Sequence, residues 1–361
     1  MGELIKHTAN WLAEPTRYTI GVTLLLAGAL VFRRFVTKPI VFLIGCGVAI
    51  GFFVFAWGDP NFHVIITKPD NVPIVMLLGS VVFFTWLALR RAVINDERTK
   101  KGEATLEAEL SKQKVFTWPD LVYTELICLV IFTALLVIWS IKIRAPLEEP
   151  ASQARTPNPS KAPWYFLGLQ EMLVFFDPWH AGVVLPTFII IGLMVIPYID
   201  INPKGNGYYC FKDRKWELLT FILGFHILWV SLIVIGTFLR GPGWNWFWFW
   251  EKWDPHKVES LTNVDLPFLL GVRSETTAFL VGLGLVLLFF LLTFVGFYLL
   301  CRRVKGAEFD DFMARWGWPR FTLTWFLLAN MVAVVTKMTF RHLFNIKYIM
   351  VLKTQYFSIN I

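Results

Sequence analysis

The strongest constraint on this chain is a series of apolar runs, each close to twenty residues, separated by polar stretches. A run of about 20 residues crosses the roughly 30 Å hydrocarbon core of a bilayer. Lipid offers the backbone no hydrogen-bond partner, so a crossing segment is a helix or a strand of a closed barrel. None of these runs alternates apolar and polar residues as a barrel strand does. The fold class that follows is all-α: a polytopic transmembrane helical protein of about eight spans. The spans read as 17–35, 38–59, 72–94, 121–143, 181–199, 216–239, 275–300 and 321–340. A tight basic turn joins the first two.

Charge supports this reading. Of 361 residues, 56% are hydrophobic and only 17% are charged, too few for a soluble domain. The formal net charge of +8 comes largely from Lys and Arg in short loops beside the apolar runs. Such clusters set orientation in a membrane; nucleic acid is not an expected partner, and the lipid bilayer is. The loops at 33–35, 90–101, 204–215 and 301–305 are the basic set and belong in the cytoplasm. The other set, 1–16, 60–71, 144–180, 241–274 and the C-terminal end, then lies outside. Cys46, Cys128, Cys210 and Cys301 are dispersed, without a Cys-x-x-Cys or Cys-x-x-Cys-His spacing, so no metal site or covalent haem is signalled. Glu3, Glu14 and Arg17 precede the first run without a short cleavable pattern, so neither a signal nor a transit peptide is expected.

Four segments follow: a three-span N-terminal extension at 1–95, a linker at 96–116, a core at 117–240 and further C-terminal helices at 241–361. The linker lies in "NDERTKKGEATLEAELSKQKVF" (95–116), which reads as a solvated cytoplasmic helical stretch. Residues 244–253, "WNWFWFWEKW", read as an interfacial aromatic anchor, with stacking on a quinone or haem as the alternative.

Histidine narrows the chemistry. A b-type haem in a helical bundle commonly takes paired His ligands from facing helices. Of His7, His63, His180, His226, His256 and His342, only His226 lies well inside a span. A bis-His haem built wholly by this chain is therefore not expected. His226 reads as a hydrogen-bonded core residue or, less readily, a lone ligand. Acidic residues within spans are scarce, and no inverted repeat is visible, which weighs against a proton-coupled transporter.

Three stretches carry a family resemblance: "TWPDLVYTEL" (117–126), "APLEEPASQARTPNPSKAPWYFLGLQE" (145–171) and "LPTFIIIGLMVIPYIDINPKGNGYY" (185–209). In order and spacing they resemble the C-terminal domain of cytochrome b, a separate subunit IV in the split form of that family. The likeness is good over about 116–240, looser over 241–361, and absent over 1–95. It implies a subunit of a bc-type quinol:cytochrome c oxidoreductase, active only in the complex. The partners it implies are a haem-bearing cytochrome b N-terminal subunit, a Rieske iron–sulfur protein and a c-type cytochrome, in a dimeric complex. Haem b would then belong to a partner subunit, and this chain would shape the outer quinol oxidation site. A bacterial inner (cytoplasmic) membrane is the expected home.

Quinol oxidation needs an apolar pocket, hydrogen-bonding groups for two hydroxyls, and a titratable acceptor. The family's motif is Pro-Glu-Trp-Tyr; here it reads Ala162-Pro163-Trp164-Tyr165. Trp164 and Tyr165 carry over, whereas Pro163 stands where the family has its proton-accepting Glu. Glu171 is the candidate replacement, or else an interfacial carboxylate held by a base such as Lys161. Tyr165 is the candidate hydrogen-bond donor or ring-packing residue, and Trp164, Pro163 and Leu167 are candidate quinone-binding residues. Asp177 and the pair Glu148 and Glu149 are weaker acceptors. On the inner side Asp120, Glu125 and 212–215 are candidates for a second proton relay. The rival reading is a structural anchor subunit of a quinone-linked complex.

Overall fold

The computed structural model describes residues 2–143, 147, 150–202, 207–257, 263–353 and 358–361. Glu148 and Glu149 lie outside them, as does the start of the basic loop at 203–206. The fold is all-α. In chain order its α-helices longer than four residues are α1 (Gly2–Ala13), α2 (Pro15–Val31), α3 (Pro39–Trp57), α4 (Pro60–Thr67), α5 (Val72–Lys100) and α6 (Leu106–Leu110). Then come α7 (Thr117–Lys142), α8 (Trp164–Met172), α9 (His180–Ile199), α10 (Lys215–Leu239), α11 (Glu275–Lys305), α12 (Phe309–Trp316) and α13 (Trp318–Phe344). Two three-residue strands, β1 (Val351–Lys353) and β2 (Ser358–Asn360), pair antiparallel near the end, an element the apolar pattern does not announce.

Among the described residues, α3, α5, α7, α9, α10, the run α11–α12 and α13 are long and apolar enough to cross a membrane. The remaining span of the eight is the shorter α2, whose apolar part is Arg17–Val31. The protein is a multi-pass membrane protein. Prolines at the first turns of α2, α3, α4 and α5 fit there because those positions need no amide donor. Asp59 caps α4, its Oδ1 accepting from the amides of Asn61 (3.0 Å) and Phe62 (3.2 Å).

The chain forms two compact units, Met1–Tyr165 with Asn206–Lys257, and Phe166–Gly205 with Val258–Ile361. This partition differs from the four segments read in the sequence. In the first unit the core gathers Leu30, Leu89, Ala92, Phe211 and Ile222 in one cluster and Ile65, Ile74, Ile233 and Phe238 in another. The first cluster joins α2 and α5 to α10, and the second joins α4 and α5 to α10. Helix α7 buries none of its residues and offers its whole apolar circumference to its surroundings. In the second unit α13 packs on α9 and α11. The segment after α13 crosses α11 at Gly282, where a Cβ would stand 2.5 Å from the Ile349 carbonyl.

Loops that the charge pattern assigns to one side meet each other. In the first unit Lys6 pairs with Asp59, Asn61 donates to the Trp250 carbonyl, and Asn158 accepts from Gly243. On the opposite side Arg34 pairs with Glu97, and Asp96 accepts from the amides of Phe211 and Lys212. In the second unit Trp316 and Arg320 donate to the carbonyls of Ile199 and Tyr198.

The stretch 95–116 is not one solvated helix. Its first part continues α5 to Lys100; the chain then turns and folds α6 back. Asn95, fully buried, donates to Glu107 Oε2 (2.7 Å) and the Tyr209 carbonyl (2.8 Å) and accepts from the Leu106 amide (3.0 Å). Fold-back satisfies these polar groups with one another instead of with water.

Candidate functional site

The loop before α8 is largely exposed and is tied down at two points within the first unit. Asn158 Oδ1 accepts from the Gly243 amide at 2.6 Å. Lys161 Nζ donates to the Thr237 carbonyl at 2.8 Å and lies 5.0 Å from the Trp253 ring centre. The ammonium thus meets both an acceptor and a π face. Helix α8 begins at Trp164, so Pro163 stands just before the first helical residue rather than within the first turn. Pro163 is exposed.

Trp164 is half-buried and packs on the Ile65–Ile74–Ile233–Phe238 cluster. It is a packing residue, and its ring fixes the start of α8. Tyr165 stands edge-on to Trp164, with centroids 5.6 Å apart and planes at 86°. Its own ring is 47% exposed, and Phe166 beside it is 51% exposed. Further along α8, in the second unit, Leu167 and Glu171 are 3% and 1% exposed. Helical geometry accounts for the difference. Six residues at about 100° each leave Glu171 about 120° around the helix from Tyr165. One face of α8 therefore presents aromatic rings outward, and another buries a carboxylate.

Asp177, the weaker acceptor, is occupied: Oδ1 takes the Trp179 amide (3.1 Å) and Oδ2 takes Asn360 Nδ2 (2.9 Å). Asp120 and Glu125 on the opposite side are exposed. The Cys210 thiol is half-buried, and burial, followed by the carboxylates of Asp213 and Asp96, pushes it upward. That suits a protonated thiol without a reactive role.

His226 shows the geometry of a core histidine. Its Nε2 is 2.9 Å from Thr85 Oγ1, and Phe221 and Phe225 pack edge-on at 5.7 and 5.2 Å. The aromatic stretch 244–253 is folded into the first unit. Phe247 is fully buried against Gly241, where a Cβ would lie 2.5 Å from the ring. Trp250 stacks on Phe62 at 5.5 Å with Lys6 above its ring. Sequence reasoning missed three features: the Asn95 knot, the Lys6–Asp59 pair and a buried lysine, Lys337. Only the last carries a visible signal, a lysine inside the apolar run 321–340.

Residues 150–246 match the family described as cytochrome b(C-terminal)/b6/petD. That segment is similar to the cytochrome b C-terminal domain. It contains the whole of α8, the loop before it, α9 and α10. No curated protein and no solved structure matches the chain.

Proposed function

We propose that this chain is a membrane subunit of a bc-type quinol:cytochrome c oxidoreductase and forms one wall of the outer quinol oxidation site. The family match over 150–246, which includes the loop and helix α8, carries the reading. The unburied helix α7 supports a multi-subunit setting, since an apolar helix without partners in its own chain calls for lipid or another subunit. The partners would be a haem-bearing cytochrome b N-terminal subunit, a Rieske protein and a c-type cytochrome, in a dimeric assembly in a bacterial inner membrane. Haem b belongs to the partner in this reading. The His226 environment in this chain fits a hydrogen bond to Thr85, not an axial pair.

In the reaction a quinol gives up two electrons and two protons. The residues of this chain bind the ring and take a proton. Tyr165 and Phe166 offer an exposed aromatic edge for the ring, and Tyr165 is the proposed hydrogen-bonding residue for a quinol oxygen. Leu167 and Trp164 hold α8 in place behind that edge, and Pro163 shapes its start. Glu171 is the proton acceptor. It works from the buried face of α8, so the proton must travel part of the way around the helix. Pro163 at the family's Glu position favours a second reading, a structural anchor with a vestigial site.

The test compares the purified complex with its Glu171→Gln variant in quinol:cytochrome c reductase assays across pH. General acid–base groups contribute 10²–10⁴-fold, so turnover should fall about 100-fold in a variant that still assembles. Unchanged turnover removes Glu171 from the role. An assembled wild-type complex inactive with every suitable quinol and acceptor would favour the anchor.

A further inference from the structure

Lys337 lies in α13 at 2% exposure. Lysine is almost never that buried without an ionic partner. Its ammonium has three donors. One reaches the Lys347 carbonyl, and the rings of Phe176 and Tyr348 lie 5.9 and 5.5 Å from Nζ. Among the described residues no carboxylate comes within ion-pair distance. A buried nitrogen with one acceptor for three donors is built to exchange a proton, not to hold a fixed charge.

Its surroundings lead toward the surface. Phe176 carries Lys337 near its ring and His180 stacked at 4.9 Å, with planes at 16°. Asp177 sits one residue from that ring, bound by Asn360. The charged and titratable groups facing this region are Asp177 and His180 from the segment entering α9, and Asp265 before α11. From α13 and the chain after it come Arg341, Lys347 and Tyr348. His342 packs edge-on to Phe175, 5.3 Å away. All of these stand in, or next to, segments that the charge pattern puts outside. That is where the proposed quinol oxidation must deliver its protons.

We infer that Lys337, with His180 and Asp177 beside it, is a proton-carrying group on the exit route to the outer aqueous phase. The step is a proton transfer alone: the amine nitrogen gains an N–H bond and then loses it, and no electrons move. This inference rests on the proposed oxidoreductase reading.

The experiment uses the intact complex with Lys337→Met and Lys337→Arg, reading quinol-dependent turnover against pH and outward proton release in proteoliposomes. Both variants should lose about tenfold in turnover, with a displaced pH profile. Arginine keeps the charge but does not give up its proton at any accessible pH. Rescue by arginine, or an unchanged profile in both variants, would sink the inference and leave the function standing. Should the Met variant fail to assemble, the Arg variant alone decides. An assembled wild type without quinol-dependent activity overturns the oxidoreductase reading, and this inference with it.

Discussion

Both faces of the first unit seat cations on aromatic rings, but the face assigned to the cytoplasm adds a fully buried amide, Asn95. On the face assigned outside, cations rest on rings: Lys6 over Trp250 (5.5 Å), Lys161 over Trp253 (5.0 Å), Arg240 over Trp246 (5.4 Å) and Lys257 over Phe247 (4.4 Å). On the face assigned to the cytoplasm cations meet rings too, Arg33 over Phe211 (4.1 Å) and Arg90 over Trp86 (5.8 Å), and amides and carboxylates join the loops. Asn95 ties α5 to α6 and to the 209 loop, Asp96 accepts two loop amides, and Arg90 donates to the Thr37 carbonyl at 3.0 Å. Indole and phenyl rings belong at headgroup depth, where one part is apolar and another is wet. A buried amide knot belongs where the chain leaves the membrane and must satisfy its own backbone.

The sharpest way to break this comparison is Asn95→Leu. The change removes three hydrogen bonds and takes a partner from Glu107 Oε2, the Tyr209 carbonyl and the Leu106 amide. At about 1 kcal/mol for each bond, the loss should be about 3 kcal/mol. Thermal unfolding in detergent should drop accordingly, and trypsin should cut faster at Lys100 and Lys101. A loss below about 1 kcal/mol would show that the knot holds little, since an ordinary surface change costs less than that.

Trp250→Ala tests the other face. It removes the stack on Phe62, the edge contact with Phe52 at 6.5 Å and the seat of Lys6. Aromatic pairs add about 0.5–1.5 kcal/mol each beyond area burial, so about 2 kcal/mol is expected for this half-buried residue. Phenylalanine should restore most of it, because the ring stack remains. If alanine proves neutral, the outer face depends on lipid contact, not on these rings.

How much of this was legible in sequence varies with how local the signal is. The spans were legible because twenty apolar residues in a row admit one interpretation, and even the tight turn between α2 and α3 shows in "RRFVTKP". Helix α8 and the different faces of Tyr165 and Glu171 follow from helical periodicity. The Asn95 knot was not legible. Asn95 sits among charges that look solvated, and its partners lie 12 and 114 positions away. The aromatic stretch showed its composition but not its folded state, because stacking on Phe62 is a long-range contact.

The smallest effect concerns the Lys6–Asp59 pair, which closes α1 onto the start of α4 at 2.5 Å. Burial of Asp59 works to raise its carboxyl. The hydrogen bond from Lys6 and the amides of Phe62 and Asn61 outweigh that and hold it below its ordinary 3.8. Lys6 is raised above its ordinary 10.5 chiefly by the same bond. A lowered acid stabilises the fold above its unfolded value and loses that contribution as pH falls through its folded one. A raised base stabilises below its unfolded value and loses its contribution as pH rises through its folded one. Protection of α1 from proteolysis should therefore stay level from about pH 5 to about pH 9, and weaken below about pH 4. Surface pairs contribute little, so the change should be modest and should shrink further in high salt. Asp59→Asn should remove the acid limb while keeping one cap acceptor for Asn61 and Phe62. If α1 loosens at the same low pH in that variant, another carboxylate controls the junction.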